Sequence, residues 1–155
     1  MNYRHAFHAG NHADVLKHIA LVLILDRLRL KETPFGVLDT HAGIGRYDLD
    51  SDEARRSPEW QGGIGRIWDW ADAPAAIAAY RDAVAAHNPD GVLRYYPGSP
   101  ALIADKLRPQ DRLAASELHP EDAATLKASL RGRANVQIHA RDGYEALRAL
   151  TPLPE

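Results

Sequence analysis

The stretch Phe35-Gly36-Val37-Leu38-Asp39-Thr40-His41-Ala42-Gly43-Ile44-Gly45 decides the fold. Its first five residues read as a short buried strand. The next six read as a tight loop, and glycines there let backbone approach a ligand without a Cβ in the way. Working outward, residues 112–116 and 136–139 read as two further strands. A helix opening at Ser99-Pro100, with Ser99 as N-cap, runs to about 107 and precedes the second strand. A helix over 120–130, with Gly132 just past it, precedes the third. Another begins at Tyr144 after Asp142-Gly143. Strands alternating with helices predict right-handed crossovers and a parallel sheet, an α/β fold. Ligands of such sheets lie outside the carboxyl ends of the strands. The places to search are therefore the loop 39–45, Glu117 and Asp142-Gly143.

Upstream, a helix reads over residues 12–30, capped by Asn11, with Val15, Leu16, Ile19, Leu23 and Ile24 at helical spacing. Thr33-Pro34 ends it. Residues 48–97 change character. A charged segment leads into a helix over 59–70 carrying Trp60, Ile64, Ile67 and Trp68, then a second helix from Pro74 to the turn Asn88-Pro89-Asp90-Gly91. The expected organisation is a core made of 1–47 and 98–155, with 48–97 as an inserted helical subdomain.

Composition sets the outer bounds. With 155 residues, 45% hydrophobic and 26% charged, the chain suits one globular domain and excludes disorder. The apolar run 19–25 falls short of the ~20 residues a membrane helix needs. No apolar signal region follows the first charges, so a cytoplasmic location is expected. The absence of cysteine excludes disulfides, thiolate metal sites and a cysteine nucleophile. A net charge of -2 gives no nucleic-acid field over the whole chain, although a local basic face remains open. The arginine-rich cation set suits phosphate, but GC-rich coding explains it equally well.

A lone Gly-x-Gly is a weak signal. No Lys follows it, as a P-loop requires, and the next strand end is Glu117, far beyond the spacing of a dinucleotide fingerprint. Gly62-Gly63-Ile64-Gly65 follows no strand and is set aside. Glu117 suits a ribose diol, Asp142 an exocyclic amine, and the Gly143 N–H a ring nitrogen. Together they describe an adenosine pocket. The competing reading is that strand-end carboxylates cap the helices that follow, and both readings stand at this point. His5, His8, His12 and His18 crowd the N-terminus, with His8 and His12 spaced as metal ligands on a helix often are. The H-E-x-x-H pattern is missing, so hydrogen bonding to loops or a ligand is the plainer reading, and a histidine-based metallohydrolase the remoter one.

Four segments, in order, resemble a known family. They are Tyr3-Arg4-His5-Ala6-Phe7-His8-Ala9-Gly10-Asn11-His12-Ala13-Asp14-Val15-Leu16-Lys17-His18, Leu38-Asp39-Thr40-His41-Ala42-Gly43-Ile44-Gly45-Arg46-Tyr47, Tyr95-Tyr96-Pro97-Gly98-Ser99-Pro100 and Ser116-Glu117-Leu118-His119-Pro120. Over essentially the whole chain they look like the RlmJ family, bacterial enzymes that methylate the N6 of an adenine in 23S ribosomal RNA with S-adenosylmethionine. The resemblance implies a Rossmann-like class I methyltransferase core, of which this chain holds the first three strands. It implies that His41 and the loop after strand one hold the methionine part of the cofactor, with His18 and Ser99 lining the same site. Glu117 would take the ribose hydroxyls, and Asp142 and Gly143 the adenine. Tyr3 would lie near the target base and Lys17 would contact RNA. No metal or membrane is implied.

The sequence also departs from the family. Its catalytic Asp-Pro-Pro-aromatic motif does not occur, and Pro152-Leu153-Pro154 is no substitute. No catalytic residue is therefore assigned here, and the alternative is an inactive homologue serving as an RNA- or protein-binding module. In the family, strand one pairs on both sides, so the chain by itself is expected to associate through the exposed edge of that strand.

Overall fold

The computed structural model describes residues 4–151. In chain order its elements are α1 (His12–Leu28), β1 (Gly36–Asp39), β2 (Arg46–Asp48), α2 (Asp52–Arg56), α3 (Ile64–Ile67), α4 (Ala75–Ala85) and β3 (Tyr95–Pro97). Then come α5 (Ser99–Lys106), β4 (Arg112–Glu117), α6 (Pro120–Ser129), β5 (Val136–Ala140) and α7 (Gly143–Leu150), while His5–Phe7 and Glu59–Gly62 form single 3-10 turns. The expected mixed α/β fold is present, with β1, β4 and β5 forming a parallel sheet in that order. The register aligns Val37, Leu113 and Val136, and two residues on Asp39, Ala115 and Ile138. Among the described residues β1 pairs only with β4.

The chain divides into two compact units. One is the described part of Met1–Ile24 with Tyr47–Pro97; the other is Leu25–Arg46 with the described part of Gly98–Glu155. The second unit holds the parallel sheet. Leu102, Ile103, Leu113, Ala115, Leu126 and Ala146 are buried there. Full burial of each large apolar side chain contributes about 1.5–3 kcal/mol.

The first unit is built around Val22, Ile64, Tyr80, Val84 and Tyr96, all fully buried. It differs from the sequence reading in three ways. First, a strand pair, β2 with β3, stands where only helices were expected. The segments are three residues each, too short for an alternating pattern to register. Second, the helix expected over 59–70 is broken. A Cβ on Gly63 would sit 2.0 Å from the Gly10 carbonyl oxygen, and Ile64 N–H donates to that oxygen at 2.9 Å. Gly63 thus serves close backbone packing, and Gly65 lies close against Trp60, where a Cβ would be 3.1 Å from its carbonyl oxygen.

Third, α1 buries a different face from the one its apolar residues suggest. Asp14, His18, Val22 and Leu25 face inward, while Leu16, Leu23 and Ile24 are exposed. The polar pair can go inside because each finds partners. Asn11 caps the helix as expected, its Oδ1 accepting from the Asp14 N–H at 2.9 Å. Asp14 in turn accepts from Gly10 N–H at 3.0 Å, bonds His5 Nε2 at 2.7 Å and pairs with Lys17 Nζ at 3.0 Å. The helix ends at Leu28, two residues short of the expected end.

Candidate functional site

The site is built where β1, β4 and β5 end, within the second unit. β1 delivers Asp39. Its Oδ2 accepts from the Ser99 hydroxyl at 2.6 Å and its Oδ1 from the His41 N–H at 3.2 Å. Burial raises the Asp39 pKa despite those two donors. Ser99 is not the N-cap that the sequence suggested. Gly98 holds the cap position, and Ser99, at the first helical position, spends its hydroxyl on Asp39 instead. Donation to a carboxylate is charge-assisted and so stronger than a bond between neutral groups.

Glu117 closes β4. Its Oε2 accepts from Gly43 N–H and its Oε1 from His119 N–H, each at 2.9 Å. A carboxylate offers about four lone-pair directions, so roughly two remain after these bonds. The Ala42 N–H reaches the Ser116 carbonyl at 3.0 Å, which fixes the same loop a second time. Gly45 ends the loop at φ +84°, where a Cβ would meet Ser129 Oγ at 2.7 Å. Its missing side chain makes room for α6, while the backbone approach expected for this loop is left to Gly43.

Past β5, Asp142 caps α7. Its Oδ1 accepts from Tyr144 N–H at 2.9 Å and Glu145 N–H at 3.1 Å, so the capping reading is realised. Only one oxygen is spent on it, and Oδ2 has no hydrogen bond within the described residues. Gly143 is required by contact. A Cβ there would lie 2.2 Å from the Thr40 carbonyl oxygen. The His41 and Tyr144 rings meet edge to face at 5.8 Å. These contacts bring the three strand ends together: Glu117 against Gly43, Gly143 against Thr40, and Ser99 against Asp39.

The remaining candidates sit elsewhere. His18, in the first unit, is 5% exposed, with Nδ1 on the Tyr96 hydroxyl at 2.8 Å. Burial lowers its pKa to about 4, against the opposing charge of Asp14. Lys17 is exposed and pairs with Asp14. Tyr3 lies outside the described residues. His5 and His8 bond Asp14 and Glu59, and among the described residues no three metal-ligating side chains gather.

Sequence reasoning included Asp39 in the loop to be searched but gave it no role, although its signal was available: an acid closing the strand just before the glycine loop. It also missed three buried polar atoms without partners among the described residues, Ser116 Oγ, His119 Nδ1 and His139 Nε2. Ser116 and His139 are register partners on neighbouring strands, one residue before Glu117 and Ala140. Nothing in a linear pattern marks a missing partner.

Comparison with known proteins identifies the family. The chain is 47% identical to "Ribosomal RNA large subunit methyltransferase J" of Haemophilus influenzae, over all of this chain and 56% of that protein. It is also 47% identical to the protein of the same name from Escherichia coli strain K12, over 98% of this chain and 54% of that one. The chain thus spans about half the length of the curated relatives it matches. The crystal structure of LPL1258 from Legionella pneumophila, described under family DUF519, superposes with TM-score 0.86 at 38% identity, covering 94% of this chain and 54% of that one. Residues 32–155 match the family described as "Ribosomal RNA large subunit methyltransferase D, RlmJ", and the chain belongs to that family.

Proposed function

We propose that the protein carrying this chain transfers a methyl group from S-adenosylmethionine to the N6 of an adenine in 23S ribosomal RNA, and that this chain supplies most of the cofactor pocket. The observation that carries the reading is the convergence of three strand ends, with acceptor positions still open on Glu117 and Asp142 and with Gly143 pressed against Thr40. The donor set fits a nucleoside. Glu117 accepts the ribose hydroxyls, Asp142 Oδ2 the adenine amine, and Gly143 N–H faces a ring nitrogen. His41 and Ser99 line the methionine side, and His18 stays a candidate cofactor contact on the family resemblance alone.

The cofactor supplies an electrophilic methyl group on a sulfonium. The residues of this chain bind and orient. Asp39 fixes Ser99 and His41, and Glu117 fixes Gly43, so the pocket is set before binding and ordering costs less on occupation. An adenine amine is a poor nucleophile because its lone pair is delocalised into the ring. Placement is therefore the larger share of the rate. Tyr3 and Lys17 are proposed to meet the RNA, and the expected location is the cytoplasm. No described helix is long and apolar enough to cross a membrane.

The test is calorimetric titration of the full-length protein with S-adenosylmethionine, together with transfer of labelled methyl to 23S ribosomal RNA. Saturable heat and a label at adenine N6 are expected, and no heat at millimolar cofactor overturns the reading. A separately made 155-residue chain is proposed to self-associate through the free edge of β1. A monomer by size-exclusion chromatography with light scattering refutes that association.

A further inference from the structure

We propose that the opposite end of the same parallel sheet carries a second contact surface, one for the phosphate backbone of the substrate RNA. This rests on the methyltransferase reading and goes beyond it. Three segments feed the starts of β1, β4 and β5, and hydrogen bonds tie them together. The Arg108 guanidinium donates to the carbonyls of Lys31 and Thr33, at 2.6 and 3.1 Å. Asn135 donates to the Arg108 carbonyl at 3.1 Å, and Arg133 to the Ala104 carbonyl at 2.8 Å. The three segments thus form one surface.

That surface is basic, in a chain that is acidic as a whole. Arg29, Lys31, Arg108, Arg112, Arg131 and Arg133 face only Glu32, Asp105 and Asp111 along these segments. Two of the acids are already engaged, Asp111 by Arg108 and Asp105 by Arg133. Arg112 donates only to the Pro109 and Asp111 carbonyls, at 2.9 and 3.0 Å. Arg29, Lys31, Arg112 and Arg131 are exposed and have no carboxylate partner within the described residues. Arg112, Arg133 and Asn135 line an open depression of about 470 Å3, with Leu107 and Pro109 beside them.

Guanidinium groups held without a carboxylate are suited to bidentate contact with phosphate oxygens. A small metabolite would call for an enclosed pocket, whereas an open basic surface suits a backbone that runs across it. The distance is also suitable. β4 is six residues long, about 20 Å at ~3.3 Å per residue, so an RNA stem flanking the target base can reach from one end of the sheet to the other.

The experiment uses full-length protein, a fluorescently labelled 23S ribosomal RNA fragment and anisotropy at several salt concentrations. The variant is Lys31→Gln/Arg112→Gln/Arg131→Gln. A loss of about tenfold in RNA affinity at 0.1 M salt is expected, with a log affinity–log salt slope shallower by about 2–3. Affinity for S-adenosylmethionine should stay unchanged by calorimetry. Because Arg112 braces its own loop, the pair Lys31→Gln/Arg131→Gln serves as a second variant, with the slope expected to fall by about 2. Arginine-to-lysine replacement at 112 and 131 should restore most of it. Unchanged RNA affinity and slope in both variants overturn the surface while leaving the methylation reading in place. Absence of methyl transfer by the unaltered protein overturns that reading and this surface with it.

Discussion

In the unit that contains α4 and β3, Asn88 uses its whole hydrogen-bonding capacity. Its Oδ1 accepts from the Arg94 and Tyr95 N–H groups, and its Nδ2 donates to the Val84 and Tyr95 carbonyls. The same unit closes a chain from His18 through Tyr96 to Tyr80, each link 2.8 Å. In the unit that contains the parallel sheet, Ser116, His119 and His139 bury polar atoms with no partner among the described residues, and Asp142 spends only Oδ1 on the described backbone. A buried polar group without a partner costs about 1–3 kcal/mol. A fold tolerates such groups where a ligand can complete them. The closed networks therefore read as architecture, and the open strand ends are where cofactor binding is proposed.

Four perturbations would break or sharpen that contrast. The largest effect is expected from Asp14→Ala, which strands His5, Lys17 and the Gly10 N–H around a buried position. Lys17 can turn to water, but the Gly10 N–H and His5 lose their acceptor at about 1–3 kcal/mol each, read as a lower midpoint in urea unfolding. An effect under ~1 kcal/mol would show that the network does not hold this unit together.

Acid comes next. Burial holds the His18 pKa at about 4, below its ordinary 6.5, so the folded chain binds this proton more weakly than the unfolded chain. The stability it contributes is fully present above pH 6.5 and is lost as pH falls toward 4. At ~1.4 kcal/mol per unit the loss amounts to about 3 kcal/mol. His18→Gln should flatten that part of the curve. Asp14 acts lower down. Burial raises its pKa, but His5, His18 and Lys17 outweigh this and hold the carboxyl well below the usual range, so its contribution is lost only beneath that range. Stability that is level between pH 7 and 4 would contradict the buried, neutral state of His18.

The open site predicts a different signature. Glu117→Ala should weaken S-adenosylmethionine binding by about 1–3 kcal/mol through a lost charged hydrogen bond and a freed Gly43 loop. Unchanged affinity removes Glu117 from the pocket. The smallest effect belongs to Asp142→Ala, about 1 kcal/mol of stability for the lost α7 cap. A simultaneous loss of cofactor affinity is expected, and the comparison with Glu117→Ala separates the two roles. Stability loss alone would reduce Asp142 to a capping residue.

Much of this was legible in the linear chain. The strands at 35–39, 112–116 and 136–139 lie where the sequence places them, because short segments between turn signals, alternating with helices, leave few alternatives. The place of Glu117 and Asp142 at the strand ends followed from position alone, since a parallel sheet sets its strand ends side by side. Other features depended on contacts far apart in sequence. Asp39 and Ser99 are linked across 60 positions, and Gly63 must be glycine because Gly10 lies against it. The buried face of α1 was misread because apolar spacing is blind to a polar pair satisfied from elsewhere.

The sequence by itself determined the α/β order, the parallel sheet and the identity of the residues at its strand ends, since local propensity and topology suffice for those. Only the tertiary structure decided which carboxylate oxygens are consumed and which stay open. It also decided which face of α1 goes inward and which cations lack an acid. Those outcomes depend on partners brought together by folding, and hydrogen bonding at a distance of 3 Å leaves no period in a sequence.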